Sequence, residues 1–198
     1  MADSSGSDRT EAQEQIMQAT YRALSSHGYA DLTIKHIAEE YGKSTAAVHY
    51  HYDTKEDLLA AFLDYVLDWF VSSVHEVETT DPEDRLDLLL DRLLAEPDDQ
   101  LLGFMTAMLE MRGQAPYVES FADRFQQNDE YTRYLLSTVI VDGIDEGVFA
   151  DVDADDVADG LMTIVDGART RAVVLDDPGV LAAARQTADE YVQANLYE

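Results

Sequence analysis

The chain has 198 residues, with 13 Lys plus Arg against 41 Asp plus Glu, a formal net charge of −28 and 46% apolar residues. That apolar share belongs to a globular protein and excludes a disordered acidic polymer, and no apolar run is long enough to span a membrane. The absence of cysteine excludes disulfides and thiolate metal sites, and Met1-Ala2-Asp3-Ser4-Ser5-Gly6-Ser7-Asp8 has neither part of a signal peptide, so a cytoplasmic protein is expected.

Helical periodicity runs through almost the whole chain without a convincing β pattern, so the fold class is all-α, with about nine helices. Residues 1–8 are expected to form a disordered tail. Arg9 to His27 puts Ile16, Ala19, Thr20, Ala23 and Leu24 on one stripe, which Gly28 ends. A short helix fits Ile34 to Tyr41, capped by Thr33 and closed by Gly42. Ser44 caps a third, Thr45 to about His51, and Thr54-Lys55-Glu56-Asp57 has the form of a capping box opening a fourth. The fourth carries Leu58, Leu59, Phe62, Val66, Trp69 and Phe70 and ends before Thr79. Pro82 suits the first turn of a fifth, Glu83 to Ala95. A sixth runs from Pro97-Asp98 to Arg112, a seventh from Tyr117 to Glu146, an eighth from Asp156 to Leu175 and a ninth from Gly179 to Leu196. The expected organisation is a three-helix unit over residues 9–53, then a larger helical bundle over 54–198.

The most informative stretch is Leu32 to Tyr52. Two short helices around a Gly-containing turn make a helix-turn-helix, whose second helix enters the DNA major groove. Ala38 is small enough for the helices to cross closely, and Val48 and Tyr52 point inward. Thr45, Ala46, His49 and Tyr50 are left outward. Small residues allow close approach to base edges, while hydroxyls and imidazoles reach bases or phosphates. Lys55 stands at the start of the next helix, near an expected phosphate. Spacing alone suits a plain helical hairpin equally well.

From Ile16 through Leu59 the sequence resembles the DNA-binding domain of TetR-type (tetracycline-repressor-like) transcriptional regulators. The matching pieces are Ala23-Leu24, His27-Gly28-Tyr29, Thr33-Ile34-Lys35-His36-Ile37-Ala38, Gly42, Ser44, Val48-His49-Tyr50-His51-Tyr52 and Lys55-Glu56-Asp57-Leu58-Leu59. The resemblance implies that Thr33, Ser44, Tyr50, His51 and Lys55 touch phosphates or support the recognition helix. With Lys35, Lys43, Thr45, Ala46 and His49 they form the expected DNA-binding set. His49 stands where the family usually has tyrosine, Tyr52 where phenylalanine is usual, and Lys43 where an apolar residue is usual. Residues 9–53 are thus expected to bind double-stranded operator DNA, and 54–198 to bind a ligand and dimerise.

A strongly negative chain is at face value a poor DNA ligand. The distribution softens that objection. Residues 1–56 carry five basic and nine acidic groups, residues 57–198 eight and thirty-two. All three lysines, Lys35, Lys43 and Lys55, fall within 21 residues. Uniform acidity, with 26 Asp against 15 Glu, fits a halophilic habit in which salt screens self-repulsion.

Three sharper motifs fail on context. His49-Tyr50-His51-Tyr52-Asp53 spells a zinc-hydrolase HxHxD, but in a helical setting and without a histidine after the aspartate. Gly42-Lys43-Ser44 echoes a phosphate-binding loop, but Ile37 stands where the first glycine belongs. Asp151 to Asp156 resembles a calcium loop without its turn glycine or its closing glutamate, and a solvated helix cap accounts for it better. No metal or cofactor is expected, and no carboxylate pair or triad marks an enzyme.

The distal half holds Phe104, Met105, Met108 and Met111 on the sixth helix and Tyr117, Phe121, Phe125, Tyr131 and Tyr134 on and around the seventh. Such side chains fill ordinary cores and equally line adaptable pockets. The resemblance implies an effector cavity built from Phe104, Met105, Met108, Met111, Tyr117, Phe121, Phe125 and Tyr134 with Trp69, Leu161 and Val165, suited to a largely apolar small molecule. Arg112, Arg124 and Arg133 are expected in salt bridges rather than on an anionic effector. On the last two helices, Ile164, Ala168, Ala172, Leu175, Leu181, Ala184, Ala188, Tyr191 and Val192 are the expected homodimer interface, a four-helix bundle by resemblance and an internal hairpin otherwise. The function expected is a repressor released from a palindromic operator by an effector. The alternative is a helical binding or scaffold protein that does not touch DNA.

Overall fold

A computed structural model describes residues 9–75 and 81–197, apart from the side chains of residues 74 and 75. The expected tail at 1–8 and the expected end of the fourth helix before Thr79 lie outside the described residues. Among them there are nine helices and no strand: α1 (Glu11–Asp31), α2 (Ile34–Tyr41), α3 (Thr45–His49), α4 (Lys55–His75), α5 (Pro82–Leu93), α6 (Asp99–Gln114), α7 (Glu119–Asp145), α8 (Ala154–Val174) and α9 (Gly179–Leu196).

The helix starts follow from local chemistry. The first amides of a helix lack intrahelical partners, and short oxygen-bearing side chains supply them. Thr10 and Gln13 form a capping box on α1. Thr33 accepts from the His36 amide at 3.2 Å and Ser44 from the Ala47 amide at 3.3 Å. Thr54 and Asp57 exchange backbone and side-chain bonds at the start of α4. Asp81, Asp98 and Asp153 cap α5, α6 and α8. The calcium-loop look-alike is therefore occupied as a cap: Asp153 accepts from the amides of Asp155 and Asp156.

The chain divides into two compact units, Met1–Ser73 with Asp98–Gln126, and Val74–Pro97 with Gln127–Glu198. In the first, α6 and the start of α7 join the helix-turn-helix helices and α4, although the sequence suggested a division after residue 53. One apolar cluster unites Ile16, Met17, Leu24, Leu32, Ile37, Val48, Leu58, Leu59, Phe62, Leu63, Ala107, Met111 and Phe121. Each large side chain fully withdrawn from water there contributes about 1.5–3 kcal/mol. The clustering is dictated by close approach: a Cβ at Gly103 of α6 would overlap the Ser25 carbonyl oxygen of α1.

The second unit buries Leu86, Leu89, Leu90 and Leu93 of α5, Leu136, Val139 and Ile140 of α7, Val157, Leu161 and Val165 of α8, and Leu181, Ala188 and Leu196 of α9. A Cβ at Gly160 would overlap the Tyr191 hydroxyl, so α8 and α9 also approach closely. Arg85 pairs with Asp142 at 2.6 Å, and Arg185 gathers Asp87, Asp91 and Asp189.

Candidate nucleic-acid interface

The helix-turn-helix is positioned from beneath. Ala38 is 3% exposed, which lets α2 and α3 cross, while Ile37 and Val48 are fully buried. Gly42 closes α2 at φ 72°, a left-handed conformation that favours glycine. Its amide and that of Lys43 donate to carbonyls of the last turn. Arg22 of α1 donates to both the carboxylate and the backbone carbonyl of Glu40, fixing the end of α2. Tyr52 packs half-buried against the apolar cluster, and burial pushes its phenol above the ordinary value.

Opposite this support, one face is open. Thr45, Ala46, His49 and Tyr50 are all exposed, Tyr50 at 85%. The Tyr50 ring meets His51 edge-on at 5.0 Å, and His49 Nδ1 lies 3.3 Å from the Tyr52 carbonyl oxygen. Thr33 and Ser44 are exposed at the mouths of α2 and α3, where a hydroxyl and an amide can meet a phosphate together.

The three lysines differ in situation. Lys35 reaches Glu39 at 3.4 Å, with both side chains largely in water. Lys43 sits exposed over the Tyr41 ring at 4.5 Å and donates to its hydroxyl at 3.0 Å. Lys55 is engaged within the fold: its ammonium donates to the carbonyls of Tyr29 and Leu32 at 3.3 and 3.0 Å and lies over the Tyr29 ring. Among the described residues no three His, Asp or Glu side chains are grouped to hold a metal.

The expected effector residues divide between the units. Trp69, Phe104, Met105, Met108, Met111, Tyr117, Phe121 and Phe125 fall in the first; Tyr134, Leu161 and Val165 fall in the second. Met111 and Phe121 are fully buried core, Leu161 and Val165 are core of the second unit, and Trp69, Tyr117 and Tyr134 are exposed. Arg124 pairs with Asp64 at 2.7 Å, Arg133 lies near Asp155 and Asp159, and Arg112 sits over the Phe125 ring. Of the expected dimer residues, Ala168, Ala172, Leu181 and Ala188 are buried by their own chain. Ile164, Leu175, Ala184, Tyr191 and Val192 remain exposed or half-exposed. An open groove of about 480 Å³ runs along α8 and α9, lined by Thr163, Ile164, Gly167, Arg171, Val180, Ala183 and Ala184 among others.

Sequence reasoning missed Glu110 of α6, which accepts from the amides of Tyr29 and Ala30 at 2.6 and 3.3 Å. The sequence carries no clear signal for it, because Glu110 shares its side of the helix with Thr106, Ala107, Gly113 and Gln114 and reads as an ordinary half-exposed carboxylate.

Residues 16–62 match the family described as bacterial regulatory proteins, tetR family, and residues 82–196 match that of the BetI-type transcriptional repressor C-terminal region. A TetR transcription regulator from Haloarcula marismortui is 67% identical with a TM-score of 0.88, over 94% of this chain and 98% of that one. A putative transcriptional regulator from Saccharomonospora viridis, solved in complex with choline, is 25% identical with a TM-score of 0.80, over 96% and 100%. The HTH-type transcriptional regulator BetI of Rhizobium meliloti is 26% identical over 91% of this chain and 87% of its own length. The exposed α3 face, the capped turn beneath it and these matches at both ends place the chain in the TetR family of DNA-binding transcriptional regulators.

Proposed function

We propose that the chain is a cytoplasmic repressor, not an enzyme, that binds a palindromic operator as a homodimer and leaves it when a small molecule binds. The observation that carries the DNA contact is the polarity of α3: Val48 fully buried, with Thr45, Ala46, His49 and Tyr50 presented to solvent around it. These four read the groove, while Thr33, Lys35, Lys43, Ser44 and His51 hold phosphates. Two copies joined along the α8–α9 groove, through Ile164, Leu175, Ala184, Tyr191 and Val192, would present recognition helices about 34 Å apart. The small residues lining that groove support close helix packing.

The effector acts through its differential affinity for two geometries of the dimer. The choline complex of a relative makes a small organic cation with apolar methyls the first compound to titrate. Footprinting of the full chain at high potassium chloride on the DNA beside its own gene tests the reading. Two protected half-sites related by symmetry are expected, and choline or a related compound should release them. Absence of any protected site would leave the scaffold reading in its place.

A further inference from the structure

The last turn of α1, Tyr29–Asp31, follows the break at Gly28, leads into the helix-turn-helix and is gripped from two sides. At Gly28 the backbone leaves the helix, with φ 68° and ψ 173°. This break presents the next two amides to Glu110 of α6, whose carboxylate accepts from Tyr29 at 2.6 Å and Ala30 at 3.3 Å. The carboxylate lies close beside position 28, where a Cβ would stand 3.1 Å from it, a tight contact. At the other end of the same turn the Lys55 ammonium of α4 takes the carbonyls of Tyr29 and Leu32. Thr33, the cap of α2, follows at once. The Glu110 carboxylate on the amides of Tyr29 and Ala30, and the Lys55 ammonium on the carbonyls of Tyr29 and Leu32, add charge-assisted bonds to the one backbone bond there, from the Leu32 amide to the Tyr29 carbonyl at 3.3 Å.

Glu110 is not placed by chance. Gly103 and Glu110 are seven residues apart, two helical turns, so both face α1. Gly103 sets the register by contact with the Ser25 carbonyl, and Glu110 locks it two turns on. Phe104, Ala107 and Met111 fill the intervening face with apolar contact.

We propose that Glu110 is a positioning residue for DNA recognition. Acting against Lys55, it holds the turn before α2 in one place on α6 and so fixes where the recognition helix stands. This rests on the dimeric, operator-binding reading above, because in a dimer that position sets the half-site spacing the protein accepts.

The test uses the full chain in molar potassium chloride. Duplexes are selected from a random pool with the wild type. The selected duplex is then rebuilt with its half-sites moved by single base pairs, and as one half-site alone. Glu110→Asp keeps the charge but shortens the reach by one methylene; Glu110→Gln keeps a carbonyl acceptor. Glu110→Ala and Glu110→Asp should lower affinity for the best spacing about tenfold or more, and the preference among spacings should flatten. Their affinity for one half-site should stay within about twofold of wild type, and Glu110→Gln, which keeps an acceptor but not the charge, should fall between wild type and Glu110→Ala at the best spacing. Amide exchange at Tyr29 and Ala30 should quicken in the Asp variant, which carries the comparison if the Ala variant does not fold. Unchanged spacing profiles, unchanged exchange, or half-site and full-site affinities that fall in step would overturn the proposal. A wild type that selects no paired half-sites would overturn the reading beneath it, and the proposal with it.

Discussion

Val48 is fully buried and Tyr50, two residues on, is 85% exposed. That contrast puts Tyr50 on the surface, where its removal leaves the core intact, and on the proposed reading it touches the operator. Tyr50→Ala should weaken operator binding by about 1 kcal/mol or more while the melting temperature stays at the wild-type value. Lys43 is held at the turn by Tyr41 yet remains in water, so a phosphate can take it over. Lys43→Ala should reduce the slope of log affinity against log salt by about 0.9, the share of one neutralised phosphate. Lys55→Ala should weaken binding and leave that slope unchanged, because its ammonium is spent on Tyr29 and Leu32. Titration of both variants against potassium chloride separates the two roles. Thr33, Ser44 and Thr54 were legible as caps, since a cap acts on amides two or three residues away. Lys55 was legible only as a cation, because a long side chain finds its partners in whichever helix packs beside it.

At the scale of elements, most boundaries agree with the periodic pattern, and the differences have local causes. The first helix breaks at Gly28 as expected, but helical backbone resumes beyond it to Asp31, where Glu110 meets the new amides. The sixth runs through Gly113 to Gln114, and a glycine inside a packed helix costs only about 1 kcal/mol. The third is shorter than expected and closes at His49. Packing of α6 on α1 depends on Gly103, where an added methyl would meet backbone rather than a movable side chain. Gly103→Ala should cost about 1–3 kcal/mol in denaturant unfolding at constant salt. The α4–α1 contact contains Tyr65, whose hydroxyl donates to Glu14 at 3.0 Å. Burial, together with that carboxylate, pushes its phenol from 10.0 up to about 12. The folded state therefore holds the proton where the unfolded chain has lost it. The contribution is full below pH 10.0 and is lost as pH rises through about 12. Tyr65→Phe should flatten the fall in melting temperature across that alkaline window.

The whole molecule carries a net charge of −28, which opposes both its compactness and its approach to DNA. At molar salt the screening length shrinks to about 3 Å, which removes most of that repulsion. The halophilic reading of the acidity accords with the Haloarcula marismortui relative. Dilution into low salt should lower the melting temperature steeply. Arg185→Ala, which leaves Asp87, Asp91 and Asp189 without their shared cation, should move that loss to higher salt. Counterion release yields little in concentrated salt, so operator affinity should fall less steeply with salt than a lysine-rich binder's does. By itself the sequence determined the all-helical class, the caps, the outward face of α3 and the family, because these depend on periodicity and on bonds within a few residues. The tertiary structure alone decided that α6 joins the DNA-binding helices, that Lys55 and Glu110 grip one turn, and that Ala168, Ala172, Leu181 and Ala188 face inward. Those facts depend on which helices meet, and a small or apolar residue bears no mark of whether its own chain or another will cover it.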